Sequence, residues 1–208
     1  MKFYYIIKII ITKNVTIMTK LKFFSTVGTT PQAVANALSA YLKSFSSDSE
    51  IHCYFFMGSA PFHTSSQRTS CNINSVINAF NLNKKYIDHL KSVNVVFHTE
   101  KLIDIFEQDL IENVGLIVSA VNDIIQDGDR VIFDITAGRK IMTGSALLSI
   151  MILKQMRPKI SFEIAYYWLK RFTPENLNKM LYELGFDSYS TIFTPLDQLD
   201  EKVRTVLQ

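Results

Sequence analysis

The sequence predicts a single α/β domain: a mostly parallel sheet with helices on both faces. Three observations predict it. Short apolar runs without helical period alternate with longer stretches whose apolar residues recur every three or four positions. The run at 51–57 is almost wholly apolar or aromatic, with Tyr54, Phe55, Phe56 and Met57 in succession, as a strand buried on both faces is. The junctions between run and period hold small, hydroxyl and proline residues at 26–31, and small and cationic residues at 136–140. Such residues turn a chain from strand into helix.

In order, residues 21–25 read as the first strand and 26–30 as a turn. Pro31 suits a first helical position with Thr30 as its cap, and Val34, Leu38, Tyr41, Leu42 and Phe45 carry the helical period. Residues 46–50 are a polar loop and 51–57 the second strand. The stretch 58–70, with Pro61, Phe62, His63 and Arg68, is long for a strand-to-helix connection and reads either as a functional lid or as a surface loop. A helix over 72–90 turns Ile73, Val76, Ile77, Phe80 and Ile87 inward, and 93–97 is a third strand. Residues 100–126 carry the strongest helical period, from Leu102, Ile103 and Phe106 through to Ile124 and Ile125. The fourth strand is 131–133, after Asp127, Gly128 and Asp129, and a helix follows over the apolar run 142–156. A fifth strand spans 160–168. Thr173 caps a helix whose first residue is Pro174 and whose stripe is Leu177, Met180, Leu181 and Leu184, ended by Gly185. A short strand at 190–193 and a terminal helix at 196–207 complete the pattern.

Residues 1–17 stand apart. The Ile- and Tyr-rich run is broken by Lys8, is too short to span a bilayer, and precedes no small-residue cleavage site. It is either an edge strand or sequence upstream of a start at Met18. The second is preferred, because Met18, Thr19 and Lys20 lead straight into a clean strand. Residues 1–17 are therefore expected to be dispensable and the domain to run from 18 to 208, with its C-terminal helices from about 173.

Composition narrows the class. With 208 residues, 48% hydrophobic and 20% charged, the chain has enough apolar sequence for one sizeable core. A net charge of +3, with its cations spread along the chain, does not mark a nucleic-acid binder. Cys53 and Cys71 have neither CxxC spacing nor nearby paired histidines, so no metal site or disulfide framework is expected, and a reducing cytoplasm is the default location. His52, His63, His89 and His98 lie far apart in sequence and read as surface or strand-end residues rather than ligands. No membrane span and no cofactor motif is visible.

The chemistry concentrates at the junction after the fourth strand. Asp134 ends the run, Thr136, Ala137 and Gly138 turn the chain, and Arg139 and Lys140 open the next helix. In an open α/β sheet, ligands bind outside the carboxyl ends of the strands. Free N–H groups and the positive helix end favour an anion there, and two cations reinforce that preference. The spacing is neither a Walker loop nor GxGxxG. An ordinary turn with two solvated cations is the other reading of the same residues. Right-handed crossovers place the 26–31 turn at the same sheet edge, so both turns are expected to face one pocket. Lys170 and Arg171 either reach that edge or are solvated.

The two stretches carry a resemblance. Ser25, Thr26, Gly28, Thr29, Thr30 and Pro31 after the first strand, with Asp134, Thr136, Ala137, Gly138, Lys140 and Met142 late in the sheet, resemble the paired signatures of the CARF family. CARF stands for the CRISPR-associated Rossmann fold. The resemblance covers about residues 21–168 and implies a Rossmann-like domain that binds a cyclic oligoadenylate across the two-fold axis of a homodimer. It implies ligand contacts from Gly28, Thr29, Thr30, Thr136, Ala137, Gly138, Arg139 and Met142. Most members add an effector domain, for which this length leaves no room. No ribonuclease motif of the Arg-x-x-x-x-His type follows Trp168, and one helix there is too little for DNA binding. A stand-alone CARF protein resembles the ring nucleases, which destroy the messenger made by type III CRISPR complexes. Where the family often has a glycine pair before its motif lysine, this chain has Ala137 and Gly138, so the ring size taken is open.

With no metal-ligand spacing present, the reaction open to such a ligand is attack of a ribose 2′-hydroxyl on the adjacent phosphorus. That gives a 2′,3′-cyclic phosphate and a 5′-hydroxyl. Lys140, with Ser25 and Thr26, is the expected catalytic set. Holding the 2′-oxygen in line and stabilising phosphoryl charge would supply the rate. A sensor or sponge that binds without cutting needs the same pocket.

Overall fold

A computed structural model describes residues 20–28, 30–43, 50–59, 73–106, 109–171 and 173–196. It is a Rossmann-like α/β sandwich. The strands are β1 (Leu21–Val27), β2 (Glu50–Ser59), β3 (Asn94–Phe97), β4 (Ile103–Phe106), β5 (Arg130–Asp134), β6 (Ser161–Leu169) and β7 (Tyr189–Pro195). The helices are α1 (Pro31–Leu42), α2 (Ile73–Tyr86), α3 (Leu110–Ile124), α4 (Lys140–Met156), α5 (Pro174–Leu177) and α6 (Leu181–Leu184). The sheet order is β3-β2-β1-β5-β6-β7, with β4 also paired to β2. Every pair is parallel except β6 with β7.

Every residue of β1 is buried, because helices cover both faces. On one face Phe23, Phe55 and Ile132 pack under α1 and α2. On the other, Phe24, Phe56 and Phe133 pack under α3 and α4. Their rings lie 5.4–5.9 Å apart, Phe24 to Phe133 at 5.4 Å and to Phe56 at 5.9 Å. Aromatic pairs at that separation add to the area they bury.

The expected helix over 100–126 is corrected: its first part is strand β4, and α3 starts only at Leu110. Ile103 and Ile105 are buried while Leu102 and Asp104 are exposed, a period of two. Leu102, Ile103 and Phe106 also fit a helical spacing, so letters alone could not separate the two. Pairing decides. β3 covers β2 only as far as Cys53, and β4 takes the same edge from Phe56 onward, satisfying backbone groups that would otherwise be left open. The Asp109 side chain then caps α3, accepting from the Glu112 N–H at 2.9 Å.

The single helix expected after Thr173 is two. Thr173 does cap α5, accepting from the Asn176 N–H at 3.3 Å. The chain breaks before α6 because Asn36 of α1 holds it: its amide donates to the Lys179 carbonyl at 3.0 Å and its oxygen accepts from the Leu181 N–H at 2.8 Å. The amide of Asn83 on α2 donates to the Asn36 oxygen at 3.0 Å. The helix expected over 72–90 ends at Tyr86, with a 3-10 turn at Asp88–Leu90. Residues 1–17, most of the 58–70 loop, Thr29 and the terminal helix from residue 197 lie outside the described residues. No helix among the described residues is long and apolar enough to cross a membrane.

Candidate functional site

β1 and β5 are neighbours, with Ser25 opposite Asp134. From β1 the chain crosses through α1 to β2 on one side, and from β5 through α4 to β6 on the other. The strand order therefore reverses between β1 and β5, which is where open α/β sheets form a ligand crevice. The turns after these two strands do not merely share an edge; they touch. A Cβ on Gly28 would lie 2.9 Å from the Gly138 nitrogen, and one on Gly138 would lie 2.9 Å from the Thr26 Cβ. Gly138 also has φ +124°, a conformation open to glycine and costly to other residues.

Beneath the contact sits Asp134, 1% exposed. Its carboxylate accepts from the Ser25 hydroxyl at 2.6 Å and from the Thr136 N–H at 3.0 Å. The Thr26 hydroxyl donates to the Asp134 carbonyl at 3.4 Å. The Thr136 hydroxyl oxygen accepts from the Tyr167 N–H at 2.8 Å, which ties the turn to β6. The hydroxyl residues shared by the two motifs thus hold the turns together.

Above the contact is the start of α4. Arg139 stands at its N-cap without a side-chain capping bond, and no acidic residue lies in the first turn. The first helical bond shown runs from the Thr143 N–H to the Arg139 carbonyl at 3.1 Å. The N–H groups of Lys140, Ile141 and Met142 precede it and have no acceptor within the helix. Gly138, Arg139 and Lys140 are exposed, so the surface offers N–H donors, a positive helix end and two cations to one anion.

The expected site residues fall into three groups. Gly28, Thr30, Thr136, Gly138, Arg139 and Lys140 reach the surface. Ser25 and Thr26 are fully buried, and Ala137 and Met142 belong to the two apolar cores. Thr29 is outside the described residues. Thr30 occupies the N-cap of α1 but makes no side-chain capping bond, a correction to its expected capping role. Its carbonyl accepts from the Ala33 N–H at 3.1 Å. Lys170 and Arg171 line a separate cleft of about 470 Å³ between the end of β6 and the α5–α6 segment, with Lys179 and Glu183.

Sequence reasoning passed over Asp134 as a site residue although it stands at the head of the motif. Its partner Ser25 is 109 positions away, and only the β1–β5 register joins them. It also kept apart His52 and His98, whose rings meet at 2.9 Å (Nδ1 to Nε2) in β2 and just after β3, away from the turns. Among the described residues no group of three or more His, Cys, Asp or Glu side chains is placed to hold a metal ion.

Burial pushes the Asp134 carboxyl up to about 6 from an ordinary 3.8, against the bonds from Ser25 and Thr136. A carboxyl that holds its proton more tightly folded than unfolded contributes stability that is present below its ordinary value. That stability is lost as pH rises through the folded value. Asp134→Asn keeps the shape and an acceptor for Thr136 but cannot ionise. In urea unfolding from pH 4 to 7, the parent is expected to lose up to about 3 kcal/mol relative to Asp134→Asn. Parallel profiles for the two proteins would contradict this.

No protein-family model and no curated protein matches the chain. Among solved structures, Enterococcus italicus Csm6 bound to cyclic hexa-2′-fluoro-hexa-dAMP is similar at 14% identity and TM-score 0.47, over 90% of this chain and 45% of that one. Plasmodium falciparum glycerol-3-phosphate dehydrogenase is similar at 9% identity and TM-score 0.31, over 74% of this chain and 41% of that one. The chain spans less than half the length of either, and at these scores neither assigns it a family or an activity.

Proposed function

We propose that the two turns bind a cyclic oligoadenylate and that the chain is a CARF-type ring nuclease, opening cyclic tetraadenylate in preference to other rings. The observation that carries this is the backbone contact of Gly28 with Gly138, which merges the two motif-bearing turns into one anion-binding surface. The ring is opened without a metal. A ribose 2′-oxygen forms a bond to the adjacent phosphorus, the P–O5′ bond breaks, and the 2′-hydroxyl proton ends on the 5′-oxygen. The products carry a 2′,3′-cyclic phosphate and a 5′-hydroxyl, and the messenger of type III CRISPR signalling is removed. Lys140 meets the charge that develops on the phosphoryl oxygens. Ser25 and Thr26 act from below by fixing the turn through Asp134. Gly28, Thr30, Thr136, Gly138 and Arg139 hold phosphate and ribose. The protein works in the cytoplasm, without DNA.

One observation favours a second reading. Ser25 and Thr26 are buried with their hydroxyls on Asp134, so they offer no group to abstract the 2′-proton. A CARF sensor or sponge that only binds the ring requires none. Incubating the protein with radiolabelled cyclic tri-, tetra- and hexaadenylate in EDTA, then resolving the products by chromatography, separates the readings. Linear products ending in 2′,3′-cyclic phosphate are expected. Binding without cleavage over hours supports the sensor, and no binding contradicts both.

A two-fold ligand calls for a two-fold protein. Leu148, Met151, Ile152 and Met156 are 40–52% exposed along α4, and Ile111 on α3 is 76% exposed, an apolar surface suited to a second copy. Light scattering is expected to give a dimer mass for the parent and a monomer mass for Ile152→Glu. A parent that is monomeric with and without ligand would contradict the homodimer.

A further inference from the structure

β6 outruns its neighbour. Its pairing with β5 stops at Asp134 and Ala165, and the strand continues to Leu169. Alternation assigns the faces. Ala165 and Tyr167 belong to the core under α1, and Phe162 and Ile164 to the one under α4. Tyr166 and Trp168 therefore stand on the α4 face, where they are 40% and 54% exposed. The residue between them, Tyr167, gives its N–H to Thr136 at 2.8 Å. The aromatic pair and the anion-binding turn are thus adjacent parts of one sheet edge, bolted together by that bond. Arg139 and Lys140, both exposed, belong to the turn that this bond ties to the strand.

Tyr166 and Trp168 present two neighbouring aromatic side chains to solvent on one face of the sheet. Aromatic faces interleaved with cations are how proteins hold a nucleobase and its phosphate together, and each stack is sequence-tolerant because every base has a π-face. The cations argue against an apolar occupant. We propose that Trp168, with Tyr166, is the stacking platform for a purine base of the nucleotide whose phosphate lies on residues 136–140. This rests on the reading of the turns given above and adds the part of the site that holds the base.

Trp168 is the chain's one tryptophan, so its emission reports on this position alone. The parent is titrated with cyclic tetraadenylate in EDTA, following tryptophan emission and equilibrium dialysis in parallel. Saturable quenching at the binding midpoint is expected, with affinity roughly ten- to a hundredfold weaker in Trp168→Ala and largely restored in Trp168→Phe. Dialysis that shows binding while emission stays constant and Trp168→Ala binds like the parent overturns the platform and leaves the reading of the turns standing. Emission of the ligand-free protein that shifts on dilution overturns it too, by assigning the aromatics to a second copy. Absence of binding in the parent overturns both readings together.

Discussion

Lys140→Ala is expected to keep the fold and most of the ligand affinity while lowering the cleavage rate about a hundredfold or more, as loss of one donor to a developing oxyanion does. Lys140 is exposed at the first position of α4, so truncation leaves no cavity and breaks no core contact. Binding draws on many contacts around a ring of phosphates, and one cation among them is a small share. An interaction that strengthens only as charge builds on the phosphoryl oxygens changes rate rather than affinity. Arg139→Ala should show the opposite balance, with affinity falling more than rate. Single-turnover cleavage measured beside equilibrium binding separates the two effects. A Lys140→Ala protein that cuts as fast as the parent would remove Lys140 from the catalytic role.

Gly138→Ala should be strongly destabilising. A Cβ there would sit 2.9 Å from the Thr26 Cβ and 3.0 Å from its hydroxyl oxygen, on a backbone whose φ of +124° suits glycine alone. Strain at such a position and overpacking of a close contact each cost about 1–3 kcal/mol, so a loss of about 3 kcal/mol or more is expected in urea unfolding. Gly115→Ala is the control. Gly115 lies within α3 with nothing inside 4 Å of its would-be Cβ, so the helix should gain up to about 1 kcal/mol. If Gly138→Ala unfolds at the same urea concentration as the parent, the two turns are not held against each other as described.

The parts of the fold legible in the sequence were those whose signal is local. Strands β1, β2 and β5 show as apolar runs because both faces are covered, and Pro31 and Thr173 mark helix starts that the structure keeps. The adjacency of the two turns was also legible, since crossover handedness and chain order suffice to place them. What could not be read depended on partners distant in sequence. β4 is a strand because β2 has an open edge beyond Cys53, and α5 and α6 are separate because Asn36, itself held by Asn83, grips the chain between them. Likewise the hydroxyl of Ser25, read as part of the catalytic set, bonds a carboxylate 109 positions away, a partner that only the β1–β5 register brings beside it. The exposure of Trp168 was not legible either: a strand over 160–168 does not say which of its residues are covered, and the pairing of β6 with β5 ends at Ala165.

Equilibrium dialysis of labelled cyclic tetraadenylate, comparing the parent with the double substitution Arg139→Ala and Lys140→Ala, tests most directly whether the merged turns are the binding site. Both side chains are exposed, and loss of charge-assisted contacts should weaken binding at least about tenfold. Saturable binding by the parent with that loss in the variant is the expected result. Equal affinity in the two proteins, or no saturable binding of a ring of any size by the parent, would contradict it.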